Sequence, residues 1–375
     1  MRFASVAPSV AIGLAAVGLG VACSGAPPAG PVAARTPPEA SAPAPASASP
    51  VADPASPPPS EGAAGEGGAT AAAPADDPSC PAGMKMVEGD YCTDVDQECL
   101  RSWFDVSNKK TVCEEFKAPS KCVGEKVHKR YCVDTYEWPN QKGERPEVMN
   151  NFYQAQVKCA AVGKRMCTES EWTFACEGPE MKPFPHGYVR DAAKCNGDHT
   201  WDGPNMSLVA KRDPAELARL WKGVRSGSQP QCISDFGVAD LPGNADEVSS
   251  NETLSTSDWR GKYDSVNTGG PWYKGVRNQC RPKIYTHEEG FYYYYLSFRC
   301  CAEPDGKPTD PRTPKQRKAN RKFSFVESMA RFTVAQMKEK LAQKEKGACA
   351  CRETDTLCKT MCGTLLGPGA VDATH

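Results

Sequence analysis

The sequence contains few histidines and none of the paired cysteine spacings that usually hold zinc. Its five histidines are scattered along 375 residues, and no Cys-x-x-Cys pair occurs. The GxSxG, HExxH and P-loop motifs are also missing, which argues against the hydrolases, metalloproteases and nucleotide-binding enzymes that carry them. The formal net charge is only -1, so no basic field points to a nucleic-acid partner.

Cysteine, by contrast, is abundant, and its number indicates an oxidising compartment. The chain carries 19 cysteines, whereas proteins of the reducing cytosol rarely carry so many. If Cys23 has the separate role described below, an even number remains, which allows complete pairing. We therefore predict a disulfide-bonded protein outside the cytoplasm, with no free thiol in its folded part. A zinc-rich protein is the less favoured alternative.

The N-terminus has the pattern of a bacterial lipoprotein signal peptide. Arg2 is the only charge ahead of an apolar run from Val6 to Ala22, which is too short and too rich in glycine and alanine for a membrane span. Small residues precede Cys23, which predicts cleavage before Cys23 and attachment of a lipid to its thiol. Ser24 follows instead of aspartate, which favours the outer membrane. An ordinary secretory signal is the alternative.

Composition divides the chain into four parts. Residues 24–79 consist mainly of proline, alanine, serine and glycine without an aromatic residue, so they cannot bury enough apolar surface to fold. All seven tryptophans and most cysteines follow, before residue 303. We predict a signal peptide at 1–22, a lipid-anchored tether at 23–79, a disulfide-bonded domain at 80–303 and a separate segment at 304–375.

Helical signals within the domain are few. The clearest covers residues 151–162, and a second lies near residues 170–176. Ahead of the second, Thr168 and Glu171 have the spacing of a capping box, in which each side chain satisfies an amide of the first helical turn. Loop residues dominate the rest of the domain. The sequence therefore predicts an irregular domain of mixed helix and strand.

The C-terminal segment has a different pattern. Residues 315–346 form a basic stretch with an apolar stripe that begins with Phe325, Met329 and Phe332. We expect one amphipathic helix docked on the chain's own domain, with binding to a membrane surface as the alternative. The four cysteines between residues 349 and 362 predict a small cystine-tied helical hairpin, with a metal site as the alternative.

Four stretches of the domain, in order over about 170 residues, resemble the formylglycine-generating enzyme family, also called the sulfatase-modifying factor family. Residues 163–172 read GKRMCTESEW, similar to the family pattern GKRLPTEAEW. Residues 236–247 read FGVADLPGNADE, similar to FGLYDMxGNVWE. Residues 131–140 are similar to the strand IDxYEVTN. The sequences GGPW at 269–272 and SFRCC at 297–301 are similar to the family's closing elements.

The resemblance implies a fold and a metal site. The expected fold is α+β, C-type-lectin-like, irregular and loop-rich. The family's third motif binds calcium through a side-chain oxygen, two backbone carbonyls and a glutamate, which correspond here to Asp240, Gly243, Ala245 and Glu247. Calcium prefers hard oxygen ligands, so the two retained carboxylates fit it. A capped turn without metal is the alternative.

The resemblance also specifies what an oxidase of the family needs. Such enzymes bind copper through two cysteines a few residues apart, because Cu(I) prefers soft thiolates. Residues 269–281 contain only Cys280, and Lys274 stands about where the first thiol is expected. We therefore do not expect copper binding or formylglycine formation, and we interpret Cys280 as half of a structural cystine.

Two functional hypotheses remain open. The first is a non-catalytic binding or display module with a protein or glycan ligand, since recognition usually lies on loops held by a rigid scaffold. The aromatic run at residues 291–295 offers contact area, although a buried strand with one wet edge explains it as well. The second is an enzyme of altered chemistry centred near Cys280. A free Cys280 would favour the enzyme, and a fully oxidised domain the module.

Overall fold

The computed structural model describes residues 77–106, 109–273 and 275–367. The predicted signal peptide, the lipidation site Cys23, nearly all of the tether and Lys274 lie outside the described residues. None of the described helices is both long and apolar enough to cross a membrane.

Short strands form two four-stranded sheets and two small ribbons. The strands are β1 (Met84–Cys92), β2 (Val95–Asp96), β3 (Cys99–Asp105), β4 (Lys110–Phe116), β5 (Lys121–Cys122), β6 (Lys126–Asp134), β7 (Arg165–Met166), β8 (Asp246–Ser250), β9 (Ser265–Thr268), β10 (Lys283–Ile284), β11 (Leu296–Ser297) and β12 (Cys300–Ala302). The first sheet has the order β1-β6-β12-β7 and the second β10-β9-β8-β11, and among these neighbours only β8 and β11 run parallel. The ribbons are β2-β5 and β3-β4.

The two predicted helices of the domain are confirmed. Helix α1 (Phe152–Ala161) is capped by Asn151, and α2 (Glu169–Glu177) is capped by Thr168. The Thr168 amide donates to the Glu171 carboxylate at 2.8 Å, and the Glu171 amide donates to the Thr168 hydroxyl at 3.4 Å. Two shorter helices follow, α3 (Met206–Lys211) and α4 (Pro214–Leu220), together with a 3-10 turn at Trp259–Gly261.

The aromatic run before the closing motif is not the strand that we considered. Residues 291–295 form a loop and turn, and only Leu296 begins β11. Tyr294 and Tyr295 are buried, and the Tyr294 ring lies 6.3 Å from that of Trp272. Because the chain bends here, the rings do not alternate between two faces. All five rings belong to, or pack against, the core cluster that contains Trp138, Trp272 and Phe298.

The basic C-terminal stretch forms three helices instead of one. They are α5 (Pro314–Lys318), α6 (Phe323–Ala330) and α7 (Val334–Glu345). Helix α6 ends because Arg331 adopts a left-handed conformation. After this break, the buried side chains are those of Val326, Ala330 and Phe332, whereas Phe325 and Met329 stay partly exposed. The three buried side chains belong to the same core cluster as the apolar residues of α1, so docking on the chain's own domain is confirmed.

Nine disulfides pair all 18 cysteines from Cys80 to Cys362, as the even count predicted. Seven lie in the domain and two tie the C-terminal hairpin around α8 (Thr356–Cys362), so the cystine ties are confirmed, and α8 is the one helix that the described residues 349–362 contain. The pairs are Cys80 with Cys132, Cys92 with Cys122, Cys99 with Cys113, Cys159 with Cys300, Cys167 with Cys301, Cys176 with Cys280, Cys195 with Cys232, Cys349 with Cys362, and Cys351 with Cys358.

Candidate functional site

A single buried arginine organises the turn on which the calcium ligands were predicted. Arg299 lies between β11 and β12, and its side chain is fully buried. Its Nε and Nη2 atoms donate to the two carboxylate oxygens of Glu247 at 2.8 and 2.7 Å. The remaining donors reach the backbone carbonyls of Asp134, Thr135 and Ala239. One guanidinium therefore joins the end of β6, the loop that precedes β8, and β8 itself.

Glu247 has little capacity left for a metal ion. Besides the bidentate pair with Arg299, its Oε2 atom accepts a hydrogen bond from the indole N–H of Trp172 at 2.9 Å. A divalent cation on this carboxylate would lie next to a guanidinium in a buried setting, where repulsion between like charges is weakly screened. The geometry therefore argues against Glu247 as a calcium ligand.

Asp240 lies in a different environment from Glu247. Its Oδ2 atom accepts a hydrogen bond from the Gly227 amide at 2.7 Å, and its carboxyl group also lies within hydrogen-bonding reach of the Glu137 carboxyl. Burial raises the pKa of Asp240 to about 6. Burial also raises the pKa of the neighbouring Glu137, and the negative charge of Asp240 adds to that effect. The two carboxyl groups therefore resist simultaneous ionisation.

The turn between the two acids depends on a glycine. Gly243 has a φ of +96°, and an added Cβ atom would lie about 2.5 Å from the Asn196 carbonyl oxygen. The next predicted ligand, Ala245, is buried just before β8. The structure thus places Asp240, Gly243 and Ala245 on the loop that leads into β8, and Glu247 within β8. Calcium binding at this turn stays a prediction, which melting curves with calcium and with chelator will test.

Cys280 is the one cysteine in residues 269–281, the segment in which the family resemblance leads us to expect the copper-binding pair. It is fully buried and bonded to Cys176 of α2, and its amide donates to the Pro183 carbonyl at 2.9 Å. The next residue, Arg281, forms a bidentate ion pair with Glu177 at 2.6 and 2.7 Å. A disulfide sulfur is not a thiolate, so the residues present do not fit Cu(I).

A second buried ion pair stands where the family pattern has a tryptophan. Asp246, at the start of β8, accepts two hydrogen bonds of 2.8 Å from Arg277. Asp246 is fully buried and the Arg277 side chain is mostly buried. The aromatic residue of the family pattern is therefore replaced by a charge that is compensated by an ion pair.

Sequence reasoning did not identify Arg299, Glu137 or Arg277 as members of these networks. A signal was present for Arg299, because an arginine inside the apolar closing motif SFRCC must find a buried partner. No sequence signal identifies that partner as Glu247, which lies 52 residues earlier along the chain.

The chain is similar to a known family and to several solved structures. The model of the family "Sulfatase-modifying factor enzyme 1-like domain" matches residues 93–304, more than half of the chain. PvdO from Pseudomonas aeruginosa is 15% identical, with a TM-score of 0.36, and the match covers 58% of this chain and 94% of that chain. CarF is 12% identical, with a TM-score of 0.39, covering 59% and 97%. Treponema denticola variable protein 1 is 14% identical, with a TM-score of 0.34, covering 59% and 95%. Among curated proteins, none matches the sequence.

Proposed function

This chain belongs to the sulfatase-modifying factor enzyme 1-like family, with the α+β, loop-rich and disulfide-bonded fold expected of it, and we propose that its domain is a non-catalytic binding module. The many loops between short strands are held by seven disulfides and buried ion pairs. A scaffold of this kind presents loop side chains in fixed positions, which suits recognition.

The disulfide between Cys176 and Cys280 carries this proposal. An oxidase of the family requires two thiolates for copper, and the only cysteine in residues 269–281 is already bonded and buried. Reducing this bond would free two adjacent thiols, those of Cys176 and Cys280, but the oxidising compartment that the signal sequence indicates favours the disulfide. Two-coordinate copper chemistry therefore has little support in this member of the family.

We also propose that the domain is held outside the cytoplasm by a lipid on Cys23, at the outer membrane or the cell surface. The support is the signal sequence together with nine disulfides, which persist in oxidising compartments. The partners that we propose are the membrane, through this anchor, and a protein or glycan ligand. Nucleic acid is not expected as a partner because the net charge is close to zero.

Thiol chemistry and catalysis test the proposal together. The protein is denatured without reductant, alkylated and analysed by mass spectrometry, and we expect no labelled cysteine after Cys23. The native protein is then incubated with copper, oxygen and a peptide that carries the sulfatase Cys-x-Pro-x-Arg motif. We expect no conversion of the peptide cysteine to formylglycine above a no-enzyme control.

The Cys176→Ser variant is the matched control. It frees Cys280 without touching residues 269–281, and we expect it to show one labelled thiol and still no turnover. Formylglycine production by the native chain that disappears in Cys280→Ser would show an oxidase and reject the module.

A further inference from the structure

The two disulfides of the C-terminal hairpin lie beside each other. Cys349 pairs with Cys362 and Cys351 pairs with Cys358, and the Sγ atoms of Cys351 and Cys362, which belong to different bridges, are 3.5 Å apart. The Sγ atoms of Cys351, Cys358 and Cys362 all lie within 4.8 Å of one another, and the described residues contain no second group of three cysteines this close. A sulfur of one bridge is therefore within reach of a sulfur of the other.

The hairpin bridges are more accessible than the long-range bridges of the domain. Cys349 and Cys351 are partly exposed, and only the inner sulfur partner Cys362 is 1% exposed. The Ala350 amide donates to the Ala348 carbonyl at 2.8 Å, so a three-residue turn places Cys349 at its centre. The three domain bridges that span more than 100 residues are buried at both ends. A thiol from another molecule therefore reaches the hairpin before it reaches those bridges.

The two partly exposed cysteines open onto a cleft. Cys349 and Cys351 line a cavity of about 660 Å³ whose opposite wall includes the loop at residues 144–148. This volume lies within the range of roughly 300–1,000 Å³ typical of ligand-binding clefts. The cleft leaves room for a cysteine-bearing segment of a partner protein beside the two bridges.

Contacts other than disulfides fix the helix of the hairpin. The buried Lys158 ammonium donates to the Glu147 carboxylate at 2.5 Å and to the Thr360 carbonyl at 2.7 Å, which ties α8 to α1. Lys344 of α7 also donates to Glu147, at 3.2 Å. The Arg212 guanidinium donates to the Thr360 hydroxyl. Because these contacts do not involve sulfur, α8 keeps its place when one of the two bridges opens.

We propose that this hairpin exchanges disulfides with an exported partner protein that carries two thiols. A thiolate of the partner attacks the Cys349 Sγ atom, so the bond to Cys362 breaks and a mixed disulfide forms between the partner and Cys349. The released Cys362 thiolate then attacks the neighbouring Cys351 Sγ atom. This step forms a bond between Cys351 and Cys362, breaks the bond to Cys358, and leaves Cys358 as a thiolate that takes up a proton.

The exchange ends when the second thiol of the partner attacks the partner's own sulfur in the mixed disulfide. The partner leaves with a new disulfide, and Cys349 leaves the reaction as a thiol. Two partner thiols are thereby oxidised, and one hairpin disulfide is reduced to the thiols of Cys349 and Cys358. A disulfide of another exported molecule restores the hairpin by the reverse exchange. This activity goes beyond the binding role proposed for the domain, since the family match ends at residue 304.

The test uses the full chain with Cys23→Ser, which lacks the predicted lipid site, and reduced glutathione as the attacking thiol. The reaction is stopped with N-ethylmaleimide, and the cysteine pairs and adducts are mapped by mass spectrometry. We expect glutathione on Cys349, maleimide on Cys358, and a new bond between Cys351 and Cys362.

The bridge between Cys99 and Cys113 is the internal control. It is also accessible, because Cys99 is exposed, but it has no third sulfur beside it. Glutathione and maleimide should appear only on these two cysteines, without a new bond. The double variant Cys99→Ser with Cys113→Ser is the matched control for the hairpin variant.

The hairpin variant is Cys351→Ser with Cys358→Ser, which removes the second bridge as a pair. The released Cys362 thiolate then has no neighbouring disulfide to attack and returns to the mixed disulfide. After free glutathione is removed, the adduct on Cys349 should therefore decay about tenfold faster than in the parent. The domain control variant should keep the lifetime of the parent.

A reduced peptide with two cysteines measures the complete reaction. Under argon, which excludes oxygen as the oxidant, the parent should convert a reduced Cys-Gly-Gly-Cys peptide to its disulfide and gain thiols at Cys349 and Cys358. No peptide oxidation, no bond between Cys351 and Cys362, or equal adduct lifetimes in the parent and the hairpin variant would each overturn the proposal. Reduction of the Cys99 bridge that leaves both hairpin bridges intact would show that they are structural only.

Discussion

Arg299 is the residue on which the interior of the domain depends most. Its positive charge acts on three buried carboxyl groups, those of Glu247, Glu137 and Asp240, and it counteracts the burial that raises the pKa values of the last two. A buried charge that loses its partner is far more costly than a pair replaced as a whole. This asymmetry gives a prediction for substitutions at both ends of the pair.

Arg299→Met should lower the free energy of unfolding by about 3–5 kcal/mol, because Glu247 then stays buried without a counter-charge. The double variant Arg299→Met with Glu247→Gln should recover part of that loss, because no unpaired charge remains. Urea denaturation of the two single variants and the double variant measures the coupling. Strictly additive effects would show that the pair does not interact as the geometry indicates.

His186 makes the stability depend on pH. Its ring stacks on Phe184 with centroids 5.5 Å apart, and burial, aided by the charge of Lys194, lowers its pKa to about 4. Since an unfolded histidine titrates near 6.5, the unfolded chain takes up the proton first. The stabilisation is therefore complete above about pH 6.5 and lost as the pH falls toward 4, by about 3 kcal/mol at most.

His186→Phe keeps the stack without the titrating group, so its unfolding free energy should fall less between pH 6.5 and 4. The exposed His128→Gln is the control and should keep the full dependence of the parent. Parallel pH profiles for His186→Phe and the parent would exclude His186 as the source.

Among the elements, those specified by local signals were predictable and those specified by distant partners were not. The capping box of Thr168 and Glu171 spans three residues, and α2 begins there as predicted. The break after α6 depends on the left-handed Arg331, which is not a residue type that signals a helix end. Asp246 stands where the family pattern has a tryptophan, and its ion-pair partner Arg277 lies 31 residues later in the sequence. No local pattern reveals this pair.

The C-terminal hairpin requires a glycine after α8. Gly363 has a φ of +71°, and an added Cβ atom would overlap the Glu147 carboxylate, whereas Gly347 has a φ of +67° with no atom within 4 Å. Gly347→Ala should therefore cost only backbone strain, about 1–2 kcal/mol. Gly363→Ala should cost about 1–3 kcal/mol more, because the Glu147 ion pairs must also move. Thermal melting compares them, and equal losses would contradict this contact.

At the scale of the whole molecule, the cysteine count predicted oxidation but not connectivity. Cys159 pairs with Cys300 across 141 residues, and Cys167 pairs with Cys301 across 134. An even number of cysteines can be read from a sequence, whereas the disulfide pairing depends on which cysteines the folded chain brings together. The family resemblance predicted the fold. The ion pair of Arg299 with Glu247 argues against calcium on that carboxylate, and the disulfide of Cys280 argues against copper on that sulfur.

The last prediction concerns where the molecule resides. If Cys23 carries the lipid, the parent protein should partition into membranes, because each buried CH₂ of an acyl chain contributes about 0.8 kcal/mol. Cys23→Ser should release the protein into the soluble fraction or block its processing. Cys80→Ser is the matched control, since it also removes one cysteine but breaks the disulfide to Cys132 and leaves the anchor intact. It should lower the melting temperature and remain on membranes. Fractionation followed by immunoblotting measures how much of each variant remains on membranes. A Cys23→Ser protein that partitions like the parent would show that some other feature of the chain causes the membrane association.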